Sequence, residues 1–238
     1  MPSHMDTHRS AFARVIAPAL VAILLTSGSL GCSSSSSVSP GSNPPPNANS
    51  PVNLVRRIEW DWNQRSDDYV KLLTADFRYV PAEGDSAGNT ETIWDRGTES
   101  FVAQRMFARS GSWPQMNSLS FQLERGEWIA SPDPRPGKNP RWHKVVSSNA
   151  EVSANFTFGG PSPEVYLLTG HFTFYCVRGD SARIPLDLQW EGVTPDSTRW
   201  WIERWEDETI STTEPGMHPN PARTTTFTGL KNQFLPVR

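Results

Sequence analysis

The spacing of apolar residues changes its period once along this chain, and that change restricts the fold to one class. Leu54, Val55, Ile58 and Trp62 recur at helical intervals. Ser50-Pro51 suits a helix start, because serine can cap and the missing proline N–H would be unpaired there anyway. Asn63-Gln64-Arg65-Ser66 breaks the stripe, and a second short helix carries Tyr69, Leu72 and Leu73. Phe77 to Val80 reads as a short strand ended by Pro81, followed by a polar loop over 83–92. A third helix runs from Trp94 to Arg109, with Phe101, Val102, Met106 and Phe107 on its buried side. Beyond it apolar and polar residues alternate. Leu119 to Leu123, His143 to Phe158, Tyr166 to Arg178 and Arg199 to Asp207 are strands, separated by a Pro-rich excursion at Pro132–Pro140 and a turn at Gly159-Gly160-Pro161. Helices followed by consecutive strands with turn connections define an α+β domain with a mostly antiparallel sheet, one face covered by the helices.

Ten Trp and eleven Phe give this domain an aromatic load that suits a broad sheet with a thick core or a cavity. In the strand 166–178, Leu168, Phe172, Phe174 and Cys176 line one side, and Leu167, His171, Thr173, Tyr175 and Val177 the other. Both sides are apolar enough to require cover. The helices supply one cover. A partner subunit, as in a homodimer, or the segment Phe227 to Val237 supplies the other. That segment follows a polar, Pro- and Thr-rich stretch, 211–226, and is too apolar for a free tail, so docking on the outer sheet face is expected.

The N-terminus bears on location. Arg9 and Arg14 precede the apolar run Val15–Leu25, then small residues lead to Leu30-Gly31-Cys32 and five serines. Basic, apolar and small-residue regions in that order make a signal peptide, 1–31. Cys32 after Gly31 resembles the lipidation box of bacterial lipoproteins, although Ser29 stands where that box usually carries Leu. The resemblance implies lipidation of Cys32, anchoring to the cell envelope, and, with Ser33 rather than Asp following, the outer membrane. Residues 33–50 are Ser, Pro, Asn and Gly with little to bury, and read with Cys32 as a disordered tether, 32–50. With Cys32 lipidated, Cys176 has no disulfide partner and reads as a buried structural thiol. Losing Arg9, Arg14 and Asp6 with the leader shifts the net charge from −3 to −4, and no basic face supports nucleic-acid binding.

Several local motifs mark the domain: Trp94-Asp95-Arg96 followed by Glu99, Pro140-Arg141-Trp142-His143-Lys144, Arg178-Gly179-Asp180-Ser181, and Asp196-Ser197-Thr198-Arg199-Trp200 followed by Ile202-Glu203-Arg204-Trp205-Glu206-Asp207. With the element order, they resemble bacterial lipoproteins of the nuclear transport factor 2-like (SnoaL-like) superfamily over residues 51–210. The resemblance implies a cone: a curved sheet wrapped around three N-terminal helices, with a pocket in its open end. Trp62, Tyr79, Trp94, His143, Phe172 and Phe174 are the expected pocket lining. Ketosteroid isomerase and scytalone dehydratase of that superfamily use a carboxylate or His in the cone as general base. Here the position after the first strand holds Val80-Pro81, with Glu83 and Asp85 beyond it, so His143 and Asp76 remain as acid–base candidates. No paired His or Cys spacing suggests a metal, no Gly-rich loop suggests a nucleotide, and no cofactor is expected. The cluster Glu203, Glu206, Asp207 and Glu208, interleaved with Arg199 and Arg204, reads as surface ion pairing. The expected role is non-catalytic binding of a small apolar ligand or an envelope protein. A dehydratase or isomerase is the alternative and a structural protein-contact module the third.

Overall fold

A computed structural model describes residues 44–81, 93–108, 114–124, 128–158, 163–211 and 226–235, all within the compact unit Ser39–Arg238. The expected signal peptide, Cys32, the expected tether before residue 44, Glu83, Asp85, the expected turn at 159–161, residues 212–225 and Val237 lie outside the described residues.

The first helix, α1 (Pro51–Gln64), forms as its sequence dictates. The Ser50 side chain accepts a hydrogen bond from the Asn53 N–H at 3.1 Å. Leu54, Val55, Ile58 and Trp62 are fully buried. Arg65 ends the helix in the left-handed region at φ 52°, and its guanidinium donates to the carbonyls of Met116 and Asn117, which helps hold a backbone conformation that non-glycine residues seldom adopt. A 3-10 turn, Asp67–Leu72, leads directly into β1 (Leu73–Val80), so this strand starts four residues before the expected Phe77. After β2 (Trp94–Asp95) comes α2 (Arg96–Phe107), capped by Asp95 accepting from the Thr98 N–H at 2.8 Å. The remaining strands are β3 (Gln115–Leu123), β4 (Ser131–Pro132), β5 (His143–Thr157), β6 (Glu164–Arg178) and β7 (Trp200–Ser211). Two short helices, α3 (Leu186–Trp190) and α4 (Phe227–Asn232), complete the described elements.

The result is an α+β domain with a curved, unclosed seven-stranded sheet in the order β2-β1-β7-β6-β5-β3, with β4 beside β5. Every pairing is antiparallel except β1 with β7, so the sheet is mixed. Its curvature has local causes. Tyr175 pairs with Arg204 but Cys176 with Ile202, which leaves Glu203 as an extra residue in β7. This bulge reverses which residues face inward, from Ile202 before it to Trp205 after it. At Gly170, φ is 152° and a Cβ would sit 2.4 Å from the Glu208 carbonyl oxygen, so only glycine lets β6 press this closely on β7.

The inner face packs on α1. Trp62 is the hub, with ring centroids 5.4 Å from Tyr69, 5.1 Å from Phe107, 5.3 Å from Phe121 and 5.0 Å from Phe227. Cys176 is buried here as expected, and burial pushes its thiol pKa up. The last contact of Trp62 corrects one expectation. The C-terminal segment does dock, but on the inner face: Phe227, Leu230 and Phe234 join the main core. The outer face beside β6 is covered at one end by α3, where Val177, Ile184, Leu188 and Trp201 form a second cluster. Further along it, Arg135 lies over the Tyr175 ring at 4.2 Å and pairs with Asp133 and Glu203.

Phe227→Ala tests the docking. The ring lies 5.2 Å from Phe172 and 5.9 Å from Trp205 and is fully buried. Its loss should lower the unfolding free energy by about 3–5 kcal/mol, seen as a lower urea midpoint at unchanged slope.

Candidate functional site

One end of the inner face is built by four segments. Strand alternation turns Phe77 and Tyr79 of β1 inward, and β2 places Trp94 beside Tyr79, ring centroids 5.2 Å apart. β7 contributes Trp205, Asp207 and Thr209, all buried, while Arg204, Glu206 and Glu208 alternate outward. Helix α2 contributes Glu99, which shares its buried stripe with Val102, Ala103 and Met106. Into this space α4 inserts Phe227, Thr228, Leu230 and Lys231.

Lys231 and Glu99 are both fully buried. The Lys231 ammonium donates to both Glu99 oxygens, at 2.8 and 2.7 Å, and the Tyr69 hydroxyl donates to Glu99 at 2.7 Å. Five rings surround the same nitrogen. Its distance to the ring centroid is 3.7 Å for Tyr79, 5.0 Å for Trp94, 5.2 Å for Trp205, 5.3 Å for Phe227 and 5.9 Å for Trp62. Ring faces carry negative quadrupole density, so this is an aromatic cage around a cation. Desolvation is the largest influence on Lys231 and holds its pKa below the ordinary 10.5, against the pull of the Glu99 charge. Burial, reinforced by Glu99 and Asp207 respectively, holds Tyr69 and Tyr79 well above 10, so both phenols stay protonated and can donate.

A second carboxylate fastens α4 in place. Asp207 accepts five hydrogen bonds, from the Tyr79 hydroxyl at 2.8 Å and from the N–H and hydroxyl of both Thr209 and Thr228 at 2.6 to 2.9 Å. The Phe227 N–H donates to the Thr209 hydroxyl at 2.8 Å, and Thr226 caps the helix. Tyr79 thus serves twice, with its hydroxyl on Asp207 and its face on Lys231.

The structure brings Trp62, Tyr79, Trp94, Phe172 and Phe174 together as buried residues on the inner face. His143 is not among them. It opens β5 directly opposite Val177, a residue of the outer cluster, and its ring lies 3.3 Å from the Asn139 carbonyl oxygen. Asp76 faces away from Phe77 and Tyr79 and pairs with the exposed Arg183 at 3.4 Å. The acidic cluster divides. Glu203 pairs with Arg135 and Lys138, and Glu206 with Arg204, near the surface, whereas Asp207 is buried. Glu99 and Lys231 carried one overlooked signal each: a charge inside an apolar helical stripe. Lys231 lies four residues after Phe227 and one after Leu230; Glu99 lies three before Val102. Among the described residues no group of three or more His, Cys, Asp or Glu could hold a metal ion.

Comparison with known proteins finds no matching family model and no matching curated protein. Similar solved structures include a conserved protein from Planctomyces limnophilus, 10% identical with a TM-score of 0.43, covering 67% of this chain and 93% of that one. A nuclear transport factor 2-like superfamily protein from Salmonella enterica is 10% identical with a TM-score of 0.38, covering 71% and 92%. A type 2 hexachlorocyclohexane dehydrochlorinase is likewise 10% identical with a TM-score of 0.38, covering 71% and 90%.

Two predictions follow from these charges. Glu99→Leu and Lys231→Met should each cost about 3–5 kcal/mol by stranding one buried charge, and the double variant should cost far less than their sum; urea titration of all four chains measures this. Elsewhere, burial outweighs the Arg57 hydrogen bonds and raises the Asp61 carboxyl from 3.8 to about 6. A carboxyl raised in the folded state binds its proton more tightly there, so it favours folding below the unfolded value and loses that advantage as pH rises. Relative to Asp61→Asn, the wild-type chain should therefore lose stability between pH 3.8 and about 6, by roughly 3 kcal/mol, with a flat difference above that window in melts across pH.

Proposed function

We propose that this chain is a lipid-anchored envelope protein whose cone binds a small ligand without converting it. One observation carries the non-catalytic half of this reading: α4 engages the acid and base groups of the cone. Glu99 is held by Lys231 and Tyr69, and Asp207 by Tyr79, Thr209 and Thr228. General acid–base catalysis needs a group free to exchange a proton with substrate. The two residues first considered for that role, His143 and Asp76, lie outside this interior. The aromatic interior suits a ligand with apolar surface. The anchored, outer-membrane half of the reading rests on the leader and on Cys32.

The dehydratase or isomerase alternative gains from one feature. With α4 displaced, Glu99 becomes a carboxylate in an aromatic pocket, a setting in which a general base can be tuned.

One preparation tests both halves. A fatty-acid probe fed to expressing cells should label the wild-type chain and not Cys32→Ala, and only the wild type should remain in the membrane fraction. The detergent-extracted full chain should release a retained small molecule on denaturation, detected by mass spectrometry. It should show no turnover of that molecule. Turnover that falls by about a hundredfold or more in Glu99→Gln, the scale of lost acid–base catalysis, would replace binding with catalysis.

A further inference from the structure

We propose that the Glu99 cage is a binding site for the primary ammonium group of a small amine, and that Lys231 occupies it as a resident stand-in. The proposal rests on the binding reading above and gives its ligand a chemical class. Three features of the site define that class.

The first is charge and direction. Glu99 accepts from the Lys231 nitrogen through both oxygens. An ammonium with N–H groups can make both bonds. A quaternary ammonium has no N–H to offer, and a neutral amide lacks the charge to balance the carboxylate. The second is shape. Tyr79, Trp94, Trp205, Phe227 and Trp62 surround the nitrogen, and the whole Lys231 side chain is buried, so the site accepts a cation on an apolar stem. Four of these rings belong to α1, β1, β2 and β7. Only Phe227 comes from α4, so most of the cage stays when α4 leaves.

The third feature separates a ligand site from a merely structural ion pair. The indole N–H groups of Trp62 and Trp205 are buried and have no hydrogen-bond partner among the described residues. Buried donors normally find acceptors, and a lysine side chain has none to give. Lys231 thus satisfies the carboxylate and the ring faces but leaves two donors of the same cage unmatched. An amine whose stem carries an acceptor oxygen within reach of either N–H would complement the cage more fully than the lysine does. Lys231 is also covalently linked to the site, so it competes as an intramolecular ligand, at an effective concentration in the millimolar range for short linkers. Amine binding and docking of the α4 lysine are therefore mutually exclusive.

The test uses full-length Lys231→Ala, whose missing atoms correspond to n-propylammonium. Added n-propylammonium should produce a saturable change in tryptophan fluorescence and a rise in Tm. Neither n-propanol nor tetramethylammonium at equal ionic strength should do so, and the Glu99→Gln, Lys231→Ala double variant should not respond. A response no greater than that to tetramethylammonium overturns the proposal. If Lys231→Ala does not fold in buffer, the same titration is run as refolding: recovery with n-propylammonium alone supports the site, and failure to recover overturns it. In the wild-type chain, 3-aminopropan-1-ol at about a hundred times the n-propylammonium dissociation constant of the variant should speed hydrogen exchange of the amides of residues 227–232. Unchanged exchange makes Lys231 purely structural and overturns the exchange of ligands proposed here. Nα-acetyl-lysine N-methylamide is run beside the free amines: weaker binding than n-propylammonium supports a small free amine, and binding at least as tight assigns the site to a lysine on another chain and overturns the small-amine proposal. The general binding reading fails separately. A retained apolar molecule without an amine leaves that reading standing and removes this one, while no retained ligand and no amine response removes both.

Discussion

The packing of α4 in this domain depends on one buried ammonium. An unpaired lysine could not stay charged among Trp62, Tyr79, Trp94, Trp205 and Phe227, because losing hydration costs several kcal/mol per ion. Glu99 offsets that loss with charge and two hydrogen bonds, and the ring faces add a weaker attraction. The position of Glu99 depends in turn on α2, whose start is fixed by the Asp95 cap one helical turn earlier. A local cap therefore sets where a carboxylate points, and that carboxylate allows a segment 132 residues away to lie in the core.

Asp207 works at the other edge of the same helix, and the contrast is instructive. Among the described residues it meets no cation within hydrogen-bond distance. Its five donors are hydroxyls and backbone N–H groups, so it acts as a cap that orients α4 rather than as half of an ion pair. The bulge at Glu203 makes this arrangement possible. It shifts inward facing from Ile202 to the odd-numbered positions, which brings Trp205, Asp207 and Thr209 to the inner face in succession. Without the extra residue, the acidic neighbours Glu206 and Glu208 would turn inward instead.

Much of the scaffold was legible from period alone. The stripe Leu54, Val55, Ile58 and Trp62 marked α1, and β5 and β6 stood out as long alternating segments ending where the turns and Pro-rich stretch begin. The site was far less legible. Sequence reading places charges outward by default, so Asp207 was grouped with the half-buried Glu206 and the exposed Glu208, although its parity with Trp205 argued otherwise. α4 spans six residues, too short for a helical period to stand out, and its apolar residues announced docking but did not distinguish the inner face from the outer one expected. His143 attracted attention by chemistry, but pleat parity with Val177 puts it outside. What was missing for α4 and His143 was a pairing between segments far apart in sequence, which no local pattern encodes.

The choice of lysine for this core is informative because it is not the choice that maximises stability. Replacing a buried ion pair with well-packed apolar residues of similar volume is often neutral or stabilising. The position of Lys231 is ringed by aromatic side chains that a methionine would satisfy, and Glu99 shares a stripe with Val102 and Met106 that a leucine would extend. An apolar plug would bind more firmly and release less readily. An ammonium held by a carboxylate differs, because another ammonium can make the same contacts, so the interaction is exchangeable in a way that close hydrophobic packing is not. The two indole N–H groups without a partner among the described residues point the same way, since a core selected for stability alone would not leave buried donors without acceptors. The chemistry of the plug is that of a ligand, and this physical feature separates the interior of the domain from an ordinary aromatic core.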